Sequence, residues 1–87
     1  MRFVSVNLES CDEQENTFLN IAVLNNFIEG VEYLIKRGAD INTQNILGNT
    51  PLHNAKLSKS HKILDLLIRN KARQDIKNYK GKTAWEL

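Results

Sequence analysis

The sequence predicts an all-α solenoid in which antiparallel helix pairs, joined by hairpin loops, stack along one axis, and three observations carry that expectation. First, the chain repeats with a period of 33: Thr17 falls over Thr50 and Thr83, Leu19 over Leu52 and Trp85, Ala22 over Ala55, Ala39 over Ala72, and Gly48 over Gly81. Second, Ile63, Leu64, Leu66, Leu67 and Ile68 recur with helical spacing, as do Ile28, Val31, Tyr33, Leu34 and Ile35 one period earlier, so each group reads as a broad buried stripe. Third, no apolar segment is long enough to be stable as an isolated helix, so stacking between pairs must supply the core.

The elements follow in order. TFLNIAVL and TPLHNAKL each open a unit with a short apolar segment, and FIEGVEYLIKR and HKILDLLIRN follow with a longer one. The reading is helix 18–25, helix 28–37, loop 38–49, helix 51–58, helix 61–70, loop 71–82, and a helix fragment from 84. Pro51 fits the first turn, where its missing donor has no intrahelical partner. Thr17, Thr50 and Thr83 are placed to cap the helices they precede. Gly38 stands where a left-handed terminator is expected, and Lys71 replaces it one period on, so that turn is either strained or different. One domain results: a partial preceding unit or cap at 1–16, repeats at 17–49 and 50–82, and a truncated start at 83–87.

Composition narrows the possibilities. A chain of 87 residues forms one domain at most, burying about 60–65% of its unfolded surface. Its apolar fraction of 41% and single proline favour a folded helical domain over a disordered tail. Cys11 is the lone cysteine, which rules out an intrachain disulfide and fits a reducing compartment. The N-terminus lacks the apolar core of a secretory signal, and no stretch nears the roughly 20 apolar residues needed to cross a bilayer. We therefore expect an intracellular protein, cytoplasmic or nuclear, without membrane insertion. Its charge is polarised: residues 1–35 hold one base and six acids, residues 56–87 nine bases and three acids.

At this point the chain resembles the ankyrin repeat family. Thr50, Pro51, Leu52, His53 and Ala55 follow the family's TPLH motif, Gly38, Ala39, Asp40, Ile41 and Asn42 its terminal motif, and Gly48 and Gly81 its hairpin glycine, over about residues 5–87. Ser5, Val6, Asn7 and Leu8 align with the tail of a preceding unit. The departures are Phe18, Asn20 and Glu15 in the first unit, Lys59, Ser60, Arg73 and Gln74 in the second, and Gly30 inside a helix, where it should cost roughly 1 kcal/mol of helix preference. The resemblance implies that His53 links neighbouring loops by hydrogen bonds.

No residue pattern supports chemistry, so the sequence predicts a non-enzyme without cofactors or a small-molecule substrate. Nothing places Ser58, Ser60 or Cys11 beside His53 as a nucleophile with an oriented base. His61 is too far from His53 for a short-spaced zinc pair. Asp12, Glu13 and Glu15 lack the alternating ligands and glycine of a calcium loop. The four glycines are scattered, so no phosphate loop exists. The basic residues of the second half lack interleaved aromatics and a continuous recognition stripe, which argues against nucleic acid.

What remains is another protein as partner. The resemblance implies a surface made of hairpin tips and exposed sides of first helices: Glu13, Gln14, Asn16, Leu24 and Asn25 in the first row, Ile46, Leu47, Asn49, Leu57 and Ser58 in the second, and Tyr79, Lys80 and Lys82 in the third. Independently of it, Ile46 and Leu47 interrupt a polar loop, and Tyr79 holds the place of Ile46 one period later. An aromatic beside branched apolar residues with a polar edge has the composition of a binding hot spot. The alternative is that Ile46 folds beneath the hairpin with Tyr79 sealing adjacent loops. At the level of function, the alternative is a structural spacer in a longer array with no private ligand.

Overall fold

The computed structural model describes residues 8–87; Ser5, Val6 and Asn7 of the expected preceding tail lie outside them. Among the described residues, four α-helices form two antiparallel pairs: α1 (Phe18–Leu24) with α2 (Ile28–Lys36), and α3 (Pro51–Leu57) with α4 (His61–Arg69), followed by a 3-10 turn at Ala84–Glu86. Within the stack, α1 packs on α3 and α2 on α4. No strand is present among the described residues, only an isolated antiparallel bridge between Cys11 and Thr17.

Each helix stops one residue earlier than its apolar spacing indicates. Asn25, Arg37, Ser58 and Asn70 still donate their backbone N–H into the last turn, but their own ψ values of 5°, 2°, −4° and 21° leave the regular helix. The starts follow the capping residues. Thr17 and Thr50 accept from the N–H of Asn20 and His53. At the third start the Thr83 N–H donates to Glu86 at 2.8 Å, a bond that holds the Glu86 carboxyl below the usual carboxylate range.

Leu19, Val23, Val31, Leu52, Ala55, Ile63 and Leu67 form the core, extended by Ala72 and Ala84. The two helical stripes are narrower than expected. Leu64, Leu66 and Ile68 are only half-buried, and Tyr33, read as part of the buried stripe, is 60% exposed. The reason is positional: Leu66 sits at a junction between pairs, and its counterpart Tyr33 has no described pair in front of it.

Tight turns recur with the same period as the helices. Among the described residues, the seven with positive φ occupy three places in the unit: Glu15, Gly48 and Gly81 at the hairpin tips, Asn26 and Lys59 between paired helices, and Gly38 and Lys71 after the second helix. Lys71 thus adopts the left-handed turn that Gly38 makes. Its N–H bonds the Ile68 carbonyl as that of Gly38 bonds Ile35, and Ala72 bonds Leu67 as Ala39 bonds Leu34. A side chain in that conformation is disfavoured by about 1 kcal/mol or more. Lys71→Gly should therefore raise stability by about 1 kcal/mol, seen as a higher urea midpoint with an unchanged slope.

Candidate protein-binding groove

The hairpin tips are built by one device used three times. Asp12, Asn45 and Asn78 each fold a side-chain oxygen back onto the backbone N–H groups two and four residues ahead, at 2.9–3.0 Å. Asparagine and aspartate do this because their short side chains mimic a backbone acceptor. The carboxylate of Asp12 is therefore engaged in shaping its own tip. The tips are then tied in series: Ile46 N–H donates to Gln14 C=O at 2.9 Å, and Tyr79 N–H to Leu47 C=O at 3.1 Å.

A buried amide ladder runs beneath. Asn45 Nδ2 donates to Asn16 Oδ1, and Asn78 Nδ2 to Asn49 Oδ1, both at 3.0 Å. Gln44 adds a strut, donating to the carbonyls of Gly48 and Lys77. His53 completes the frame from the helix side. Its Nδ1 accepts from the Thr50 N–H at 3.1 Å, which leaves the proton on Nε2 to be donated to Lys82 C=O at 2.8 Å. The buried His53, whose Nδ1 also lies 2.8 Å from the capping hydroxyl of Thr50, thus ties α3 to the base of the following hairpin.

This frame holds a groove of about 410 Å³ lined by Ile46, Leu47, Asn49, Leu57, Asn78, Tyr79, Lys80 and Leu87. Ile46 is 51% and Tyr79 71% exposed, so neither is folded beneath the hairpin. Leu47 and Leu57 are also exposed. Of the surface residues expected from the sequence, six meet here: Ile46, Leu47, Asn49, Leu57, Tyr79 and Lys80. Asn49 and Asn16 differ from expectation by being buried, since their side-chain carbonyls accept the ladder bonds from the next tip. Glu13, Gln14, Leu24, Asn25, Ser58 and Lys82 are exposed but do not line the groove.

Two lining residues, Asn78 and Leu87, are not among those expected from the sequence. Asn78 was legible only as the counterpart of Asn45, one period on. Leu87 follows the 3-10 turn, and no spacing rule places it beside a hairpin tip. Near it, Trp85 donates from Nε1 to Gln74 Oε1 at 3.0 Å and carries the Lys56 ammonium over its ring at 5.5 Å. No helix among the described residues is long and apolar enough to cross a membrane.

Stacked helix pairs, periodic left-handed turns and hairpin tips tied edge to edge define a repeat solenoid. The chain belongs to the ankyrin repeat family: the family model for ankyrin repeats in three copies matches residues 19–86. It is 41% identical over 59 residues to the ankyrin repeat protein FPV031 of fowlpox virus (strain NVSL), covering 66% of this chain and 17% of that one. It is 42% identical over 53 residues to ankyrin repeat domain-containing protein 37 of Homo sapiens, covering 61% of this chain and 34% of that one. It is also 36% identical over 72 residues to protein fem-1 homolog A-like of Mus musculus, covering 83% and 11%. The chain thus matches between about a tenth and a third of the length of these relatives. Ankyrin repeats are generally protein–protein interaction modules.

Proposed function

We propose that this chain is a non-catalytic module that binds a partner protein through the groove between the second and third hairpin tips. The observation that carries the reading is the concentration of exposed apolar side chains there, Ile46, Leu47, Leu57 and Tyr79, on a backbone held by buried hydrogen bonds. A preorganised apolar patch with a polar rim loses little entropy on binding. Lys80 on the rim, with Lys82 beyond it, favours acidic groups on the partner next to its apolar anchor. The first-row acids Glu13 and Glu15 favour basic groups at the other end of the partner's path, and these outer charges steer the encounter. Higher salt should therefore slow association more than it speeds dissociation. The lone exposed thiol of Cys11 fits a cytoplasmic or nuclear setting.

The test is capture of partners from cell lysate on the immobilised chain, run beside an Ile46→Ser, Tyr79→Ser double variant. Both positions are exposed, so the variant should keep its helical circular dichroism while losing about 2 kcal/mol or more of binding. Proteins held by the native chain and lost from the variant support the groove. Identical capture by both would reject it in favour of a structural spacer, a reading that the small share of the relatives' length covered by this chain keeps in play.

A further inference from the structure

A second apolar surface lies on the first helix pair, away from the groove. Phe18, Ile21, Phe27, Tyr33 and Leu34 border a shallow cleft of about 360 Å³ with Gly30 at its base. Phe18, Phe27 and Tyr33 are all exposed. One period on, the same positions carry Pro51, Asn54, Ser60, Leu66 and Leu67, which are buried or half-buried where the second pair meets the first. The cleft is therefore the surface of the first pair equivalent to the one that the second pair spends on stacking.

It is not a spare copy of the internal junction. Inside the chain, that junction is joined by Asn54 Nδ2 donating to Asn20 Oδ1 at 3.0 Å and Ser60 Oγ donating to Asn26 Oδ1 at 2.6 Å. At the open face, those two donors are replaced by Ile21 and Phe27. A helix pair of the internal kind would set amides against apolar side chains there and leave them unpaired, at a cost. A second copy of the same face brings mainly apolar groups to the cleft, and the one amide in its lining, Asn25, already donates its Nδ2 to the Ile21 carbonyl at 2.9 Å. Gly30 favours such a contact by flattening it: a Cβ there would fall 2.4 Å from Phe27 Cδ2, so its absence lets the ring lie against α2.

Charge sets the orientation. Glu29 and Arg37 stand four residues before and four after Tyr33, so the three share one edge of the helix. Arg37 already reaches over the Tyr33 ring, 5.8 Å from its centre. A two-fold axis near Tyr33 runs α2 antiparallel to its copy, opposes the helix dipoles, and places Glu29 of each copy against Arg37 of the other. We infer that the chain forms an isologous homodimer through this face, independently of the partner-binding groove.

Sedimentation velocity of the full chain from about 1 to about 500 µM tests the inference, a range that spans weak to moderate self-affinity. The native chain should pass from monomer to dimer, with helical circular dichroism unchanged. Tyr33→Glu and Arg37→Glu, both at exposed positions, should each weaken association by at least about tenfold, because each places like charges across the axis. Adding Glu29→Arg to Arg37→Glu restores the opposite pairing and should recover dimer, which a variant that had merely lost its fold would not do. A native chain that stays monomeric throughout, a dimer indifferent to both substitutions, or no recovery in the double variant would each overturn the proposal. Partner capture by the Tyr33→Glu variant should match that of the native chain, since the groove lies elsewhere.

Discussion

His53→Ala should lower the stability of the folded chain by about 2–4 kcal/mol, measured from urea denaturation followed by circular dichroism. His53 is fully buried, accepts the Thr50 N–H and donates to the Lys82 carbonyl. Truncation leaves the Thr50 N–H without its acceptor, opens a cavity, and unties α3 from the third hairpin. In a chain of this size such a loss is a large share of the total stability. His53→Asn sharpens the test, because asparagine is what the first unit carries at the equivalent Asn20. There the side chain is buried and its Nδ2 has no partner, as expected of a group too short to span the gap that histidine crosses. Asparagine at 53 can still accept from Thr50, so it should cost roughly half as much as alanine. Equal effects of the two substitutions would mean that the bond to Lys82, rather than the cap, carries most of the stabilisation.

Gly48→Ala should cost about 2–3 kcal/mol while Gly81→Ala costs about 1 kcal/mol, although both glycines turn with similar positive φ. The left-handed penalty is common to both. The difference is a neighbour: a Cβ on Gly48 would lie 2.6 Å from the Tyr79 backbone nitrogen, whereas one on Gly81 meets nothing within 4 Å. That nitrogen belongs to the bond with the Leu47 carbonyl that ties the second tip to the third. Glu15, at the same place in the first tip, shows what relief is open to the chain, a φ of 61° against 78° for Gly48. Relaxing Gly48 in that way displaces Tyr79, so the substitution should weaken partner capture as well as stability. Equal losses for Gly48→Ala and Gly81→Ala in urea denaturation would show that the tips are not coupled through this contact.

The helices and their starts were readable because they depend on local groups. Thr50 followed by Pro51 announces a helix start whatever surrounds it, and Leu52, Ala55, Ile63 and Leu67 fall on the inner face through spacing alone. The hairpin tips were readable as loops, but the amide ladder through Asn16, Asn45, Asn49 and Asn78 was not. Its bonds join residues 29 apart, and only the stacking of units brings them into reach. For the same reason Asn49 looks like an exposed rim residue in sequence and is a buried strut in the fold.

Tyr33 and Leu66 show how far periodicity reaches. They hold the same place in the repeat, yet one is 60% exposed and the other half-buried, since among the described residues only Leu66 has a helix pair packed in front of it. Gly30 reads in sequence as a weak point in a helix. In the structure it is the notch that accepts the Phe27 ring. Leu87 reaches the groove only because the 3-10 turn at Ala84–Glu86 redirects the chain.

The repeat length, the helix pairs, their capping residues, the family likeness and the apolar loop positions Ile46, Leu47 and Tyr79 are all written in the order of residues along the chain. Each of these rests on residue chemistry within one unit or on comparison of one unit with the next. Only the packed fold settles which of those residues share a groove, which amides disappear into a ladder, and which apolar side chains of the first pair border one cleft. Those outcomes depend on distances between units, and the distances exist only once the helices have stacked.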